Sequence, residues 1–192
     1  MTPRRFALAA FAAAIAIAPG RAEAQTRVDP MAATMAPWLA MIEQSFVGLA
    51  EAMPADKYGF KPTSGAFTDV RTFGEQVKHV ACANVAFYNE IEQKTPPEGC
   101  EAGGPSPART KAELMVYLRE SFADARRVLG TLTPGNAIDP AGGPYGGAST
   151  RLGIAMLSIW HASDHYGQLV VYLRLNGIVP PANKPARYFC FS

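Results

Sequence analysis

The chain is short of the residues that most chemistry needs. Among 192 residues there are three histidines, three cysteines and two tryptophans, and only 18% of the side chains are charged. So few acids and bases, of both signs, exclude a nucleic-acid-binding surface built on a basic field. Beyond the first 24 residues no stretch is long and apolar enough to cross a bilayer, so no stable membrane insertion is expected after that segment. No run alternates convincingly between apolar and polar, which argues against a sheet protein. No internal repeat is visible. The glycine-rich stretch at 142–147 lacks the preceding strand and the lysine of a phosphate loop. No serine–histidine–aspartate grouping or carboxylate pair suggests itself.

The start of the chain has a separate purpose. Arg4 and Arg5 precede an apolar run of 13 residues, Phe6 to Ala18. That run is short for a membrane span and suits the core of a secretory signal. Ala22-Glu23-Ala24 supplies the small-x-small pattern of a cleavage site, so residues 1–24 are read as a signal peptide and the mature chain as starting at Gln25. Its removal takes three arginines and one glutamate, which brings the formal net charge from +2 to zero. The expected location is periplasmic or secreted. In an oxidising compartment three cysteines allow one disulfide and one spare thiol. Cys100 and Cys190 lie in irregular stretches and are the preferred pair, with all three pairings open.

The mature chain suits one domain. Residues 25–36 read as a flexible lead-in, with Asp29-Pro30 as an early candidate helix start, and 37–192 as the domain. The first core helix is expected from Pro37 to Met53, where Trp38, Met41, Ile42, Phe46, Leu49 and Met53 recur at helical spacing and Pro54 stops it. In the connection 54–71, Tyr58 and Phe60 are too apolar for a free loop and are expected to plug one end of the molecule. Thr72 with Glu75, and Thr110 with Glu113, are capping boxes that open the second and third helices. The second is apolar around more than one stripe, as for a helix packed on two sides. The last helix begins near Ser149 or Thr150 and stops at Asn176-Gly177. The tail 182–192, with Tyr188, Phe189 and Phe191, is expected to pack back on the body. Four helices and no strand predict an all-α, antiparallel four-helix bundle.

The fourth helix carries the informative motif. His161 and His165 are four residues apart and project from one face. Two imidazoles so stacked can grip one metal ion, and the remaining histidine, His79, sits in a helix that must pack nearby. The reading is a three-histidine metal site, His79, His161 and His165, with an open fourth position for water or a substrate atom. No glutamate follows His161, so this is not the zinc-protease motif. Asp164 is about 100° around the helix and cannot replace it. Gln168 and Tyr172, and Gln76 on the second helix, continue the histidine faces and would border the site. Cys82, three residues after His79, is a fourth ligand, a reactive thiol or, the preferred reading, a small buried hydrophobe. No catalytic residue beyond the ligands suggests itself.

Three segments together resemble a known family. Phe73-Gly74-Glu75-Gln76-Val77-Lys78-His79-Val80-Ala81 is similar to the second-helix histidine segment of the DinB-like superfamily of metal-binding four-helix bundles. Pro54 to Pro62 resembles a linker common there. His161-Ala162-Ser163-Asp164-His165-Tyr166-Gly167-Gln168-Leu169 resembles its fourth-helix motif. The resemblance implies a divalent metal, zinc or nickel, on His79, His161 and His165, and frequent homodimers. It also implies relatives that are thiol-dependent isomerases or thiol S-transferases. An exported chain lacks the cytoplasmic thiols those reactions use, so metal-dependent hydrolysis of a small molecule is the expected chemistry. The rival classes are a non-catalytic metal-binding or stress-response bundle and a thiol S-transferase.

Overall fold

The computed structural model describes residues 29–143 and 149–181. Residues 1–24, read above as a signal peptide, the first residues of the lead-in and the tail with Cys190 lie outside the described residues. Four helices carry the fold: α1 (Pro30–Ala52), α2 (Phe73–Ile91), α3 (Lys111–Leu129) and α4 (Arg151–Leu175). Among the described residues no helix is long and apolar enough to cross a membrane.

Each start follows from local chemistry. Asp29 caps α1 by accepting from the Met31 N–H at 2.9 Å, and Pro30 occupies the first turn. This pair starts the helix well before Pro37, so residues 30–36 are helix rather than lead-in. Pro37 sits inside α1, where it denies the Ala33 carbonyl its helical donor, on an exposed face open to solvent. Thr72–Glu75 and Thr110–Glu113 form reciprocal capping boxes as the sequence indicates. Thr150 caps α4 through the Gly153 N–H.

The stripe that α1 buries is Met35, Leu39, Ile42, Phe46 and Leu49, spaced by four and three. Trp38 and Met41, expected among the core residues, lie one position off that stripe and are more than half exposed. Tyr58 and Phe60 do plug one end. Tyr58 is buried edge-on against Phe73 and donates to the Ala50 carbonyl at 2.7 Å, and Phe60 stands edge-on to Tyr172.

The helix directions depart from a simple antiparallel alternation. α2 contacts α4 at Gln76–Gln168, His79–His161 and Tyr88–Ser158, so residue numbers rise on one as they fall on the other. These two are antiparallel. α3 meets α1 at Lys111 with Glu51 and Met53, and at Arg126 with Glu43, also antiparallel. α2 and α3 instead meet at Gly74–Leu114, Asn84–Ser121 and Glu92–Arg127, with both numbers rising. They are parallel neighbours. The ring runs α1, α3, α2, α4, with α1 diagonal to α2.

Parallel neighbours cannot be joined by a tight turn. The chain must return along the whole of α2 before α3 begins, and residues 92–110 do this. They lie against the outer side of α2, where Gly103 meets Lys78 and Gly104 meets Cys82. Cys100 on this return segment forms a disulfide with Cys82, with Cα atoms 5.4 Å apart. This corrects the preferred pairing of Cys100 with Cys190, and Cys82 is neither a free hydrophobe nor a metal ligand. Short two-residue strands, Pro140–Ala141 and Ser149–Thr150, pair antiparallel ahead of α4, a detail the sequence pattern does not show.

Candidate metal centre

His79 projects from the middle of α2, and His161 and His165 from successive turns of α4. The antiparallel crossing brings all three together. They are 4%, 5% and 8% exposed, so the cluster is inside the bundle. One ligand nitrogen from each lies within 4.8 Å of the others. His79 Nε2 and His161 Nε2 are 3.1 Å apart. Two nitrogens bound to one tetrahedral ion at about 2.0–2.1 Å are separated by about 3.3 Å, so this spacing suits a shared ion. The rings stand roughly edge to face, with centroids 4.5 to 5.0 Å apart.

The surroundings keep the imidazoles neutral, the form that ligates. Burial pulls the His161 pKa down to about 3 and that of His165 to about 4, and the other histidines add repulsion. Burial also lowers the His79 pKa. The Arg71 charge pushes all three the same way. Phe87, two turns beyond His79 on α2, sets its ring edge-on to His161 with centroids 5.3 Å apart and closes the apolar side.

One histidine is held from behind. His79 Nδ1 lies 2.8 Å from the carbonyl oxygen of Cys100. A carbonyl only accepts, so Nδ1 carries the proton and the Nε2 lone pair faces His161. His161 Nδ1 and His165 Nδ1 are buried with no hydrogen-bond partner among the described residues. The donor set therefore fits a borderline divalent ion: three neutral imidazoles, converging, one with its outer nitrogen anchored to an acceptor.

The polar residues expected at the border bond to one another and to the backbone. Gln76 is buried and its Nε2 donates to Gln168 Oε1 at 2.7 Å, and Gln168 Nε2 donates to the exposed Asp164 at 2.8 Å. Tyr172 donates to the Arg71 carbonyl at 3.0 Å. Asp164 ends this amide chain. Residues that sequence reasoning passed over are Phe87, Arg71 and Cys100. Helical spacing from His79 would have found Phe87. The role of Cys100 belongs to its backbone carbonyl, for which the sequence has no signal. Arg71 sits outside any helix and was equally silent.

Fold and cluster together define an all-α protein of four helices with a buried three-histidine cluster between α2 and α4. The model of the DinB superfamily matches residues 20–169, and the chain belongs to that superfamily. A crystal structure of a DinB-like protein from Bacillus subtilis, YjoA, is similar in fold. It has a TM-score of 0.59 and 19% identity, and the match covers 81% of this chain and 96% of that one. No curated protein matches the sequence.

Proposed function

We propose that this protein is exported and binds one divalent ion, zinc or nickel, through His79, His161 and His165, and that the ion serves a hydrolytic reaction on a small molecule. The observation that carries the reading is the convergence of three buried, neutral imidazoles with two Nε2 atoms 3.1 Å apart. A bound divalent ion would supply Lewis acidity at the coordination position the histidines leave open. The chain's own contribution is positional. The Cys100 carbonyl orients His79, and the Phe87 ring edge keeps the His161 side dry. Export is supported by the signal-like start and by the Cys82–Cys100 disulfide, which suits an oxidising compartment.

A second reading has its own support. All three imidazoles are less than one-tenth exposed, and a surface groove of about 610 Å³ lies between α1 and α3, on the opposite edge of the ring. An ion on the three histidines would fasten α2 to α4 and stabilise the fold without catalysis.

Two measurements decide. Elemental analysis of untagged protein should find about one equivalent of metal, absent from the His161→Ala/His165→Ala variant. A parent that takes up no zinc, nickel or manganese ends the metal reading. The cobalt(II)-substituted protein should then change its visible spectrum when azide is added, because an open position accepts an anion. A spectrum indifferent to azide assigns the ion to the structural role.

A further inference from the structure

The Cys82–Cys100 disulfide and the His79–Cys100 hydrogen bond share a residue. Cys82 lies one turn after His79 on α2, so the two side chains leave neighbouring positions on the helix. Cys100 is tied to one of them through its sulfur and to the other through its carbonyl oxygen, at 2.8 Å from His79 Nδ1. Among the three histidines His79 alone has its Nδ1 partnered.

The segment that carries Cys100 is shaped for this seat. Gly99, Gly103 and Gly104 all have positive φ, which lets the chain turn tightly about the short 3₁₀ turn Cys100–Ala102. At Gly104 a Cβ would stand 2.3 Å from Cys82 Sγ, so only glycine allows the backbone to pass this close to the disulfide. On the far side Arg71 donates to the Glu101 carbonyl at 3.0 and 2.8 Å and pairs with its carboxylate. Beyond that single 3₁₀ turn the return segment has no helix or sheet ladder of its own to fix it. The disulfide is its covalent tether to α2, and the Arg71 bonds are exposed.

We propose that the Cys82–Cys100 disulfide is a positioning device for the metal centre: it seats the Cys100 carbonyl on His79 Nδ1–H and thereby holds His79 in the tautomer whose Nε2 lone pair faces the shared site. This rests on the metal reading above for its purpose, and on the geometry alone for its mechanism. An outer acceptor of this kind fixes ring orientation and raises ligand basicity, and its loss weakens metal binding by about 10- to 100-fold.

The experiment compares the full mature chain with the Cys82→Ser/Cys100→Ser variant. Long-range ¹H–¹⁵N spectra of the chelator-stripped proteins report the His79 tautomer, and competition with a chromogenic chelator reports zinc affinity. The parent should show His79 protonated at Nδ1 alone. The variant should show a mixture of tautomers and bind zinc about 10- to 100-fold more weakly. Leu132→Ala, a core truncation in the loop after α3, should lower stability while leaving the tautomer and the affinity as in the parent.

Should the cysteine variant not fold, the parent treated with a water-soluble phosphine gives the same comparison. The phosphine reduces the disulfide to two thiols and is itself oxidised to the phosphine oxide, water supplying the oxygen and the two protons. Equal affinity and an unchanged His79 tautomer after the bond is opened would overturn the proposal. So would tighter binding by the freed thiols, or an equal effect from Leu132→Ala. A parent that binds no zinc, with the tautomer still shifting on reduction, would instead sink the metal reading and leave the positioning mechanism standing.

Discussion

Tyr88 Oη and Ser158 Oγ lie 2.8 Å apart, and the direction of their hydrogen bond is fixed. The serine spends its one proton on the Ala155 carbonyl, also at 2.8 Å, so Tyr88 must be the donor. The pair joins α2 to α4 one turn before His161. Tyr88 is almost completely buried, and burial pushes its hydroxyl pKa up to about 12. Tyr88→Phe keeps the ring and removes the proton. It should cost about 1 kcal/mol in urea unfolding. Metal content should be unchanged, since Ser158 keeps its other bond and no ligand is touched. Loss of metal in Tyr88→Phe would mean that this bond, rather than helix packing, sets the histidine register.

The depressed histidine pKa values make stability depend on pH in a stated direction. In the unfolded chain each histidine takes a proton near its ordinary pKa of about 6.5, whereas folded His161 and His165 resist until about 3 and 4. The unfolded state binds more protons within that window, so the contribution is complete above about pH 6.5 and is lost as pH falls toward 4. Each such histidine contributes a slope of about 1.4 kcal/mol per pH unit. Glu92 is held down to about 2, and Glu75 and Glu113 are lowered by their caps, so these three carboxylates enter mainly at lower pH. Urea melts of chelator-treated protein between pH 6.5 and 4.5 should therefore show the histidine slope, reduced by about one proton in His161→Gln. A flat profile over that range would contradict the burial of the cluster.

Gly104 and Gly99 share a φ of +69° but differ in their surroundings. An alanine at either costs about 1–2 kcal/mol for the left-handed conformation. At Gly99 nothing lies within 4 Å, and the cost should stop there. At Gly104 the new methyl meets the Cys82 sulfur, so Gly104→Ala should also fail to close the disulfide. Thiol titration under denaturing conditions should count two more reactive sulfurs in Gly104→Ala than in Gly99→Ala. Equal counts would show that the return segment has room to shift.

The helix faces can be tested with two aromatic truncations. Phe122 on α3 is wholly buried in the shared core, and Phe122→Ala should cost about 3–5 kcal/mol. Trp38 on α1 is mainly exposed, and Trp38→Ala should stay within about 1 kcal/mol. Thermal melts of both variants would show the contrast. A large loss at Trp38 would mean that this ring is covered in solution by something beyond the single chain.

Much of this protein is written in local signals. Thr72 with Glu75 and Thr110 with Glu113 start helices wherever they occur, because a capping box satisfies its own orphan N–H groups without distant help. The spacing of His161 and His165 puts two imidazoles on one face by helix geometry alone. Asp29-Pro30 was legible in the same way, and it outweighed Pro37, since a filled cap outbids a proline on a solvent-facing turn. The exposure of Trp38 and Met41 was not legible, because helical spacing identifies an apolar stripe only to within one neighbouring position, and contact with α3 and α4 decided which side is core.

What tertiary structure alone decided is the order and direction of the helices. Periodicity states that α2 and α3 each bury a face. It does not state that they lie side by side and parallel, which a ring of four helices settles by packing all faces at once. From that choice came the return segment, from the return segment the Cys82–Cys100 bond, and from that bond the carbonyl behind His79. Every residue has a carbonyl, so no sequence pattern could single out the one at Cys100; only the path of the chain through space brings it to the histidine.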